Sequence, residues 1–479
     1  MIYIIFILIS INNLYKYNQI MQQQFYEIRR YLKIIKKQSC VYDFILLLLS
    51  IIVYIANSKI LFYMFLLILL IYNFPRTNKS IIKLKITKRI VRMYLIQLIM
   101  IIMYSYLVNQ MIFEFQSVLI GVYSFLFGYL YLVPFIIGNI VELIIREKYL
   151  LKAKRKLNKY NPRIIAVTGS FGKTSTKEYL LSVLSSTYRV IGTPKSYNTL
   201  LGITSFINNS LNDYYDYLIL EVGVDKKNGM NKFLKLFTPD ISVVTGLAPQ
   251  HLSTFKTIEN IANEKLKLAN AAKDKAFING DFELLKKENK KYYYCHSEDI
   301  KLIEKGFEYK NAKYLTNLFG SHLFINLAIV IEIAKYLKVN GNILKEEIKK
   351  ITNAKHRFEC FKNGNNMIID DSYNSNLYSF SKALDSLSKI DKYKIIITPG
   401  LIELENKSYE YNAIVAKKCL EVCDKIYLVG NNIAFKEILK STEKLETFSS
   451  FNDAYKNAIL INVDKVILIE NDLPDIFIE

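Results

Sequence analysis

The sequence predicts an α/β chain in which N-terminal transmembrane helices precede a central α/β domain and a smaller, doubly wound (Rossmann-like) C-terminal domain. Three observations predict this order. Long apolar runs are confined to the first third of the 479 residues. After Pro162, strand-like runs alternate with helical stretches, and a second such series begins near Ala354. Because such alternation is typical of parallel sheets covered by helices, we expect domains at 1–160, 161–352 and 353–479.

The first third is both apolar and basic. It holds 21 Lys and Arg against 5 Asp and Glu, so it contributes +16 of the net charge of +21. About four transmembrane helices are predicted, at 41–57, 60–74, 93–113 and 117–141. The first two are shorter than the ~20 residues that span a bilayer, so a single buried hairpin in a soluble core is their alternative. Residues 1–12 are too short to span unaided, and the basic, amphipathic stretch 24–37 is predicted to lie on the membrane surface.

Loop charge predicts the orientation of these helices. The 75–92 and 146–159 segments carry seven basic residues each and together a single acid, which places both of them in the cytoplasm. The chain is therefore predicted to be a multi-pass cell-membrane protein with its catalytic domains in the cytoplasm and the lipid bilayer as a partner. A nucleic-acid-binding module is the other interpretation of a basic chain. Because the basic clusters flank apolar runs, membrane topology explains the charge and no nucleic-acid partner is expected.

A phosphate-binding loop is predicted where the central domain begins. Residues 164–168 are typical of a buried strand, and Gly169-Ser170-Phe171-Gly172-Lys173-Thr174-Ser175 leads into a predicted helix over 174–187. Glycines let backbone N–H groups approach phosphate oxygens, and the helix start favours an anion. Lys173 would reach the β- and γ-phosphates, and the Thr174 hydroxyl would ligate Mg²⁺. The glycine spacing is shorter than in the ordinary P-loop, so a chance Gly-Lys-Thr turn is the alternative.

Later residues suggest further parts of a site. Glu221 ends a predicted strand at 217–222, where open α/β sheets bind ligands, and it could complete an Mg²⁺ shell with Thr174. Taken alone, it could equally be a solvated residue. His251 follows the predicted strand 241–245, and a lone histidine is often structural. The five cysteines form no C-x-x-C pair, which argues against a zinc site or a disulfide framework.

Six motifs in order resemble those of the Mur ligase family, the ATP-dependent amide-forming enzymes of cell-wall precursor synthesis. The resemblance covers about residues 161–479. Within the family, the chain resembles the membrane-associated subgroup nearest the D-alanyl-D-alanine-adding members. Thr199 replaces the family's second Asn beside Asn198, Leu323 replaces an Asn after His322, and Leu377 replaces a Pro. The motifs are the Gly-x-x-Gly-Lys-Thr-Ser loop, Ser196–Gly202, Thr245–Leu252 with Thr257–Lys265 after it, Gly320–Asn326, His356–Glu359 and Asp370–Asn376.

The resemblance implies roles for these residues, with ATP and Mg²⁺ as cofactors. Lys173, His251 and Lys265 are implied to be catalytic, and Lys265 to be carbamylated into an anionic metal bridge; an unmodified lysine on a solvated helix face is the alternative. The implied metal ligands are Thr174, Glu221, His251 and Lys265. The implied nucleotide contacts are Gly169, Ser170, Phe171, Gly172, Lys173, Thr174, Ser175, His322, Asn326, Arg357, Asp371 and Asn374. The implied substrate contacts are Asn198, Thr199, Tyr373 and Asn376.

The resemblance also implies the reaction. A substrate carboxylate attacks the γ-phosphate of ATP, and the acyl phosphate then meets an amine to form an amide. The expected acceptor is a muramoyl peptide and the amine an amino acid or a dipeptide such as D-alanyl-D-alanine. Alternatives are a lipid-linked or other non-standard acceptor, a folylpolyglutamate-type ligase, whose loop has Gly-Lys-Gly-Ser, and a non-catalytic ATP-binding membrane scaffold.

Overall fold

The computed structural model describes residues 2–24, 26–37, 41–72, 84–194, 197–364, 366–373, 375–402, 404 and 407–471. The chain forms two compact units, Met1–Lys148 and Tyr149–Glu479. Each unit is described by itself below, and the site lies entirely in the second.

The first unit is helical. Each of the four predicted apolar segments is mostly helical where it is described, with Asn57, Met111, Ile112 and Tyr131 outside the helices; residues 73 and 74 of the second segment lie outside the described residues. Residues 2–12 belong to a helix that extends to Gln23. The helices are α1 (Ile2–Gln23), α2 (Ile28–Lys37), α3 (Val41–Ala56), α4 (Lys59–Tyr72), α5 (Lys88–Gln110), α6 (Phe113–Leu130) and α7 (Leu132–Tyr160), the last of which continues into the second unit.

The predicted 117–141 segment is divided between α6 and α7 at Tyr131. Pro134 lies in the first turn of α7, where a missing backbone N–H costs little and where its ring prevents the helix from continuing unbroken from α6. By length and composition, two described helical stretches could cross a membrane, Lys88–Gln110 and Phe115–Tyr160. Phe44–Ala56 and Lys59–Tyr72 are shorter apolar helices.

The first sheet of the second unit has six parallel strands. The alternating pattern predicts five of them, at 164–168, 189–192, 217–222, 241–245 and 275–279, and does not predict the sixth, Tyr292–Cys295. Their order is β2-β3-β1-β4-β5-β6, so β1 lies between β3 and β4 and the carboxyl ends of these three strands meet. The strands are β1 (Arg163–Thr168), β2 (Val190–Gly192), β3 (Tyr217–Glu221), β4 (Ile241–Val244), β5 (Lys275–Asn279) and β6 (Tyr292–Cys295). The helices between them are α8 (Lys173–Ser185), α9 (Leu200–Ser210), α10 (Met230–Leu234), α11 (Leu252–Phe255) and α12 (Ile258–Asn270).

Side chains of β1 alternate between two hydrophobic cores. Ile165 and Val167 belong to a core shared with α8, whereas Ile164 and Ala166 belong to one shared with α9 and α12. Both faces of the sheet are therefore covered, which is the doubly wound arrangement.

Two elements that the sequence pattern did not predict follow this sheet. The first is a small antiparallel sheet of β7 (Ile300–Ile303), β8 (Gly306–Tyr309) and β9 (Ala312–Leu315). The second is the buried helix α13 (Phe324–Tyr336), which packs in the same core as β1 and α8. Helix α14 (Gly341–Lys350) then leads to the second large sheet.

The second large sheet has the order β10-β11-β15-β12-β13-β14 and is parallel except for the edge strand β10. The sequence pattern predicts strands at 367–370, 394–398, 425–429 and 465–469, and all four are present. Its strands are β10 (Glu359–Asn363), β11 (Asn366–Asp371), β12 (Tyr393–Thr398), β13 (Lys425–Val429), β14 (Leu445–Phe448) and β15 (Lys465–Glu470). Its helices are α15 (Leu377–Ser388), α16 (Ser408–Val422), α17 (Ile433–Ile438) and α18 (Phe451–Leu460).

Candidate active site

The glycine loop lies between the carboxyl end of β1 and the start of α8. Gly172 has a φ of 74°, and a Cβ atom there would lie 2.9 Å from Oδ1 of Asn326. A Cβ atom at Gly169 would collide with Oγ1 of Thr245. Glycine is therefore required at both positions for the backbone to follow this path. The first N–H groups of α8 lie at the end of this loop, an arrangement that favours a bound anion.

Lys173 is the first residue of α8 and its side chain folds back over the loop. Its Nζ donates to the carbonyl oxygen of Gly169 at 2.7 Å and lies 3.4 Å from that of Ser170. Burial lowers the pKa of Lys173 to about 8, an effect that the charge of Glu221 opposes. The ammonium group is thus held by weak carbonyl acceptors that a phosphate could replace.

Glu221 lies at the end of β3 and contacts both α8 and the segment before α9. Only 1% of its surface is exposed. Its Oε1 accepts hydrogen bonds from Oγ1 of Thr174 at 3.2 Å and from Nδ2 of Asn198 at 3.1 Å. Its Oε2 lies 3.5 Å from Nζ of Lys177, which is fully buried. This brings the predicted metal ligands Thr174 and Glu221 into direct contact, with the predicted substrate residue Asn198 beside them.

The Thr174–Glu221 pair fits a hard divalent cation. Mg²⁺ prefers oxygen ligands, and both residues present them. Oε2 of Glu221 is buried and accepts no hydrogen bond among the described residues. The Lys177 ammonium, 3.5 Å away, offsets part of the cost of burying this carboxylate, and a bound cation would supply the ligand bond that Oε2 lacks.

The other two predicted metal ligands lie on neighbouring elements. His251 adopts the left-handed conformation, with a φ of 49°, directly before α11. Lys265 lies on α12 and is 5% exposed. Burial lowers the pKa of Lys265 well below its usual value, and the charge of Lys173 acts in the same direction. The Lys265 amine is therefore favoured in its neutral, nucleophilic form.

Asn326 and His322, which the family resemblance implies lie near the adenine of ATP, are buried and partly buried, respectively. Asn326 lies against Gly172, is 2% exposed, and its Oδ1 accepts no hydrogen bond among the described residues. His322 reaches the second sheet's domain, where Nδ1 lies 3.1 Å from Oγ of Ser386 and the ring is edge-on to Phe358. Burial lowers the pKa of His322 to about 4, so the ring is neutral at physiological pH.

Arg357 extends from the domain of the second large sheet into the site. Its Nη2 lies 3.5 Å from Oγ1 of Thr174, and its guanidinium lies 3.9 Å from the ring centroid of Tyr373. Beside them is a cavity of about 700 Å³. Its walls are the α8 residues Thr174, Glu178, Tyr179 and Ser182, the segment 350–357, and Tyr373.

Asp371 and Glu470 form a pair of acids on the adjacent parallel strands β11 and β15. Asp371 accepts a hydrogen bond from the backbone N–H of Phe358 at 3.0 Å. Burial raises the pKa of Asp371 to about 6, partly opposed by Arg357. Burial also raises the pKa of Glu470 well above its usual value, and Asp371 adds to that shift.

Several predicted contact residues use their polar atoms within the fold. Oγ1 of Thr199 caps α9 by accepting from Gly202 N–H at 3.1 Å. Oδ1 of Asn376 caps α15. Nδ2 of the same side chain is buried and has no partner among the described residues. Oγ of Ser170 donates to the Ala248 carbonyl, and Ser175 is buried in α8. Asn374 lies outside the described residues.

The sequence interpretation gave no role to Lys177 or to Tyr378. Lys177 follows Thr174 by three residues, which places it on the same face of α8 as the predicted metal ligand that contacts Glu221. The Tyr378 ring stacks on Phe171 at 4.7 Å between centroids and meets Phe282 edge-on. No local pattern predicts this contact, because its three rings come from distant parts of the chain.

The parts of the sequence that contain the two large sheets each match a known family. Residues 167–334 match the Mur ligase middle domain, and residues 356–470 match the Mur ligase glutamate ligase domain. The chain belongs to the Mur ligase family. The Mur ligase resemblance inferred from the six motifs is thereby confirmed, and both matched domains lie after the apolar helices.

Individual relatives agree with this assignment. The Mur ligase chain is 27% identical over 314 residues to the UDP-N-acetylmuramoyl-tripeptide--D-alanyl-D-alanine ligase of Borreliella burgdorferi, covering 60% of this chain and 67% of that protein. The enzyme of the same name from Bacillus subtilis is 25% identical over 321 residues, covering 61% and 68%. The fold is similar to that of MurF ligase from Thermotoga maritima in complex with ADP, with a TM-score of 0.61 and 21% identity over 69% of this chain and 81% of that one.

Proposed function

We propose that this Mur ligase is an ATP-dependent carbon–nitrogen ligase of cell-wall precursor synthesis. In this proposal it adds an amine of the D-alanyl-D-alanine type to a muramoyl peptide, the reaction named for its Borreliella and Bacillus relatives. One observation carries the proposal. Thr174 lies between Glu221 of the first sheet and Arg357 of the second domain, so both lobes meet at a loop built for phosphate.

The proposed chemistry has two steps. An acceptor carboxylate oxygen attacks the γ-phosphorus of ATP and ADP leaves, giving an acyl phosphate. The amine then attacks the acyl carbon, and the tetrahedral intermediate loses inorganic phosphate and a proton to give the amide. Lys173 and Arg357 would stabilise the negative charge on the transferring phosphoryl oxygens. Asn326 and His322 would face adenine, Asp371 a ribose hydroxyl, and Asn198 and Tyr373 the acceptor or the amine.

Thr174 and Glu221 would hold Mg²⁺, with His251 and Lys265 contributing to a second metal position. When bound, Mg²⁺ supplies charge neutralisation of the phosphate oxygens. Lys177 would keep Oε2 of Glu221 in place while Oε1 faces Thr174.

The experiment that tests this proposal measures phosphate release from ATP by the detergent-solubilised full chain. We expect release only when a muramoyl tripeptide acceptor and D-alanyl-D-alanine are both present. Lys173→Ala should abolish turnover, because a fixed positive charge on phosphate in an enclosed site is worth several kcal/mol. ATP binding without release for any acceptor and amine pair would instead favour the ATP-binding scaffold.

Lys265 is proposed to be carbamylated. Its neutral amine would attack carbon dioxide, form the N–C bond and lose a proton, and the resulting carbamate would be an anionic metal ligand. We expect Lys265→Ala to lower turnover at least ~100-fold, since loss of a ligand or of its supporting group weakens metal sites by such factors. Lys265→Glu, which restores a carboxylate, should recover part of that loss. Full activity of Lys265→Ala at ordinary bicarbonate would contradict the carbamate.

The chain is also proposed to be a multi-pass membrane protein with its ligase domains in the cytoplasm. The two helical stretches long enough to span, the two shorter apolar helices and the basic 75–92 and 146–159 segments support this. Protease added to inverted membrane vesicles should digest the ligase domains, whereas right-side-out vesicles should protect them. Release of the intact chain by alkaline carbonate would contradict membrane integration.

A lipid-linked acceptor is the second candidate substrate. It is favoured by the apolar helices that stand before the two matched ligase domains. Competition between a lipid-linked and a soluble UDP-linked acceptor, measured on the full chain in nanodiscs, tests it. Equal turnover of the soluble acceptor by a version lacking residues 1–160 would count against the lipid-linked form.

A further inference from the structure

A second cavity, of about 420 Å³, lies at the opposite edge of the first sheet from the candidate active site. Strand β1 begins there with Arg163, and the residues just before β4 and β5, Asp240 and Lys273, form part of its wall. The last two turns of α7 and the segment after α10 complete it. The lining residues from those two elements include Lys154, Leu157, Asn158, Asn161, Lys235 and Thr238.

The lining of this cavity is strongly cationic. Four basic residues, Lys154, Arg163, Lys235 and Lys273, face one carboxylate, Asp240. That carboxylate is already engaged, because it accepts from Lys273 Nζ at 3.1 Å and from the backbone N–H of Ile164 at 2.7 Å. The cavity therefore has an excess of positive charge that its own acid does not neutralise.

Within the described part of the chain, two of the four cations form no ion pair. Arg163 pairs with Asp274 outside the cavity, and Lys273 pairs with Asp240. Lys154 and Lys235 are both exposed, and neither forms an ion pair among the described residues. Two such ammonium groups lining one cavity repel each other, and an anion bound in the cavity would relieve that repulsion.

Helix α7 links this cavity to an apolar stretch of chain. From Leu132 to Ile145 the helix contains a single charged residue, Glu142, and from Arg146 onward it is basic. Lys154 follows Arg146 by eight residues and belongs to the basic part of α7 that comes directly after the apolar stretch.

We propose that this cavity binds the phosphate of an anionic phospholipid headgroup. The proposal rests on the membrane location proposed above. The phosphodiester would lie between Lys154 and Lys235, and the side chains of Asn158, Asn161 and Thr238 could hydrogen-bond a hydroxylated headgroup such as glycerol. Juxtamembrane lysines gain about 1 kcal/mol each near an anionic surface, which corresponds to about fivefold in affinity per lysine.

The test uses the full chain in neutral detergent and three probes: a short-chain phosphatidylglycerol, the matching phosphatidylcholine, and inorganic phosphate. We expect the phosphatidylglycerol to bind more tightly than the other two. The double variant Lys154→Gln/Lys235→Gln should weaken phosphatidylglycerol binding at least ~5-fold. The matched control is Lys345→Gln/Lys349→Gln, which removes two exposed lysines of α14 and should leave binding unchanged.

Two outcomes would overturn the proposal. Equal losses in the two double variants would mean that diffuse surface charge, and not this cavity, attracts the lipid. Equal affinity for inorganic phosphate and phosphatidylglycerol would identify a free-phosphate site. Carbonate extraction and the ligation assay on the same preparations report separately on membrane location and catalysis, so failure of the proposed function is distinguishable from failure of lipid binding.

Discussion

At the scale of single residues, Lys177 is the most informative position. It is fully buried and lies between Glu178, at 3.1 Å, and Glu221, at 3.5 Å. Removing its charge leaves the Glu221 carboxylate buried without its cation and without the contact that holds Oε2 in place, so the oxygens that would ligate Mg²⁺ are expected to be less well oriented. We predict that Lys177→Met raises the Mg²⁺ concentration for half-maximal turnover by roughly tenfold, equivalent to ~1.4 kcal/mol.

Lys177→Arg is the control for that prediction, because it keeps the charge at a similar distance. Magnesium titrations of turnover and thermal unfolding should be measured on both variants. A purely structural role would lower the unfolding temperature of Lys177→Met while leaving its Mg²⁺ dependence unchanged, and that result would contradict the positioning role.

The sequence predicts individual residues best where backbone geometry dictates their type. Gly172 and Lys173 could be assigned from the loop alone, because a left-handed turn before a helix requires glycine there. Thr199 and Asn376 could not be resolved in the same way. Hydroxyl and amide side chains cap helices as readily as they bind substrates, and in this structure both oxygens act as caps. Only three-dimensional contacts distinguish the two uses.

At the scale of elements, the contact between the glycine loop and α13 positions the nucleotide site. Gly172 has a φ of 74°, and the Asn326 amide lies where a Cβ atom would be placed. Alanine in the left-handed conformation costs about 1–2 kcal/mol, and it would also push Asn326 away. We predict that Gly172→Ala weakens ATP binding by at least ~10-fold, which ATP titrations should detect.

Gly364→Ala is a suitable control for Gly172→Ala. Gly364 also has a positive φ, of 60°, but no atom lies within 4 Å of a Cβ built there. Both variants carry a similar backbone strain, so a similar loss of stability is expected. If Gly364→Ala weakened ATP binding as much as Gly172→Ala, backbone strain alone would explain the effect and the loop–α13 contact would not.

Buried central strands could be predicted from the sequence, whereas of the four edge strands of the two large sheets the sequence predicts only β2, at 189–192. Strands β1, β3, β12 and β15 are continuous apolar runs buried on both faces, which is the pattern that predicts parallel sheet. Edge strand β10 reads Glu-Cys-Phe-Lys-Asn and is half-exposed, so hydrophobicity does not mark it. Its position is set by its antiparallel register with β11, a tertiary contact.

At the scale of the whole molecule, two successive sheets could be predicted from the alternating patterns, but the contact between the parts that contain them could not. The six motifs imply that Arg357 approaches the phosphate loop, and the structure puts its Nη2 3.5 Å from Thr174. No sequence motif predicts the aromatic cluster of Phe171, Phe282 and Tyr378. Its members belong to the glycine loop, the segment after β5 and helix α15, and only the closed arrangement of the two lobes brings them together.

This aromatic cluster is expected to keep the acyl phosphate from water. Aromatic pairs contribute about 0.5–1.5 kcal/mol beyond buried area, so losing the Tyr378 ring should shift the lobes toward an open state by severalfold. An open site would let water compete with the amine. We therefore predict that Tyr378→Ala raises the ratio of phosphate released to amide formed from about one to several, whereas Tyr378→Phe, which keeps the ring, leaves it near one. A ratio that stays near one in Tyr378→Ala, measured with both products quantified in the same reaction, would show that the lobes exclude water without this contact.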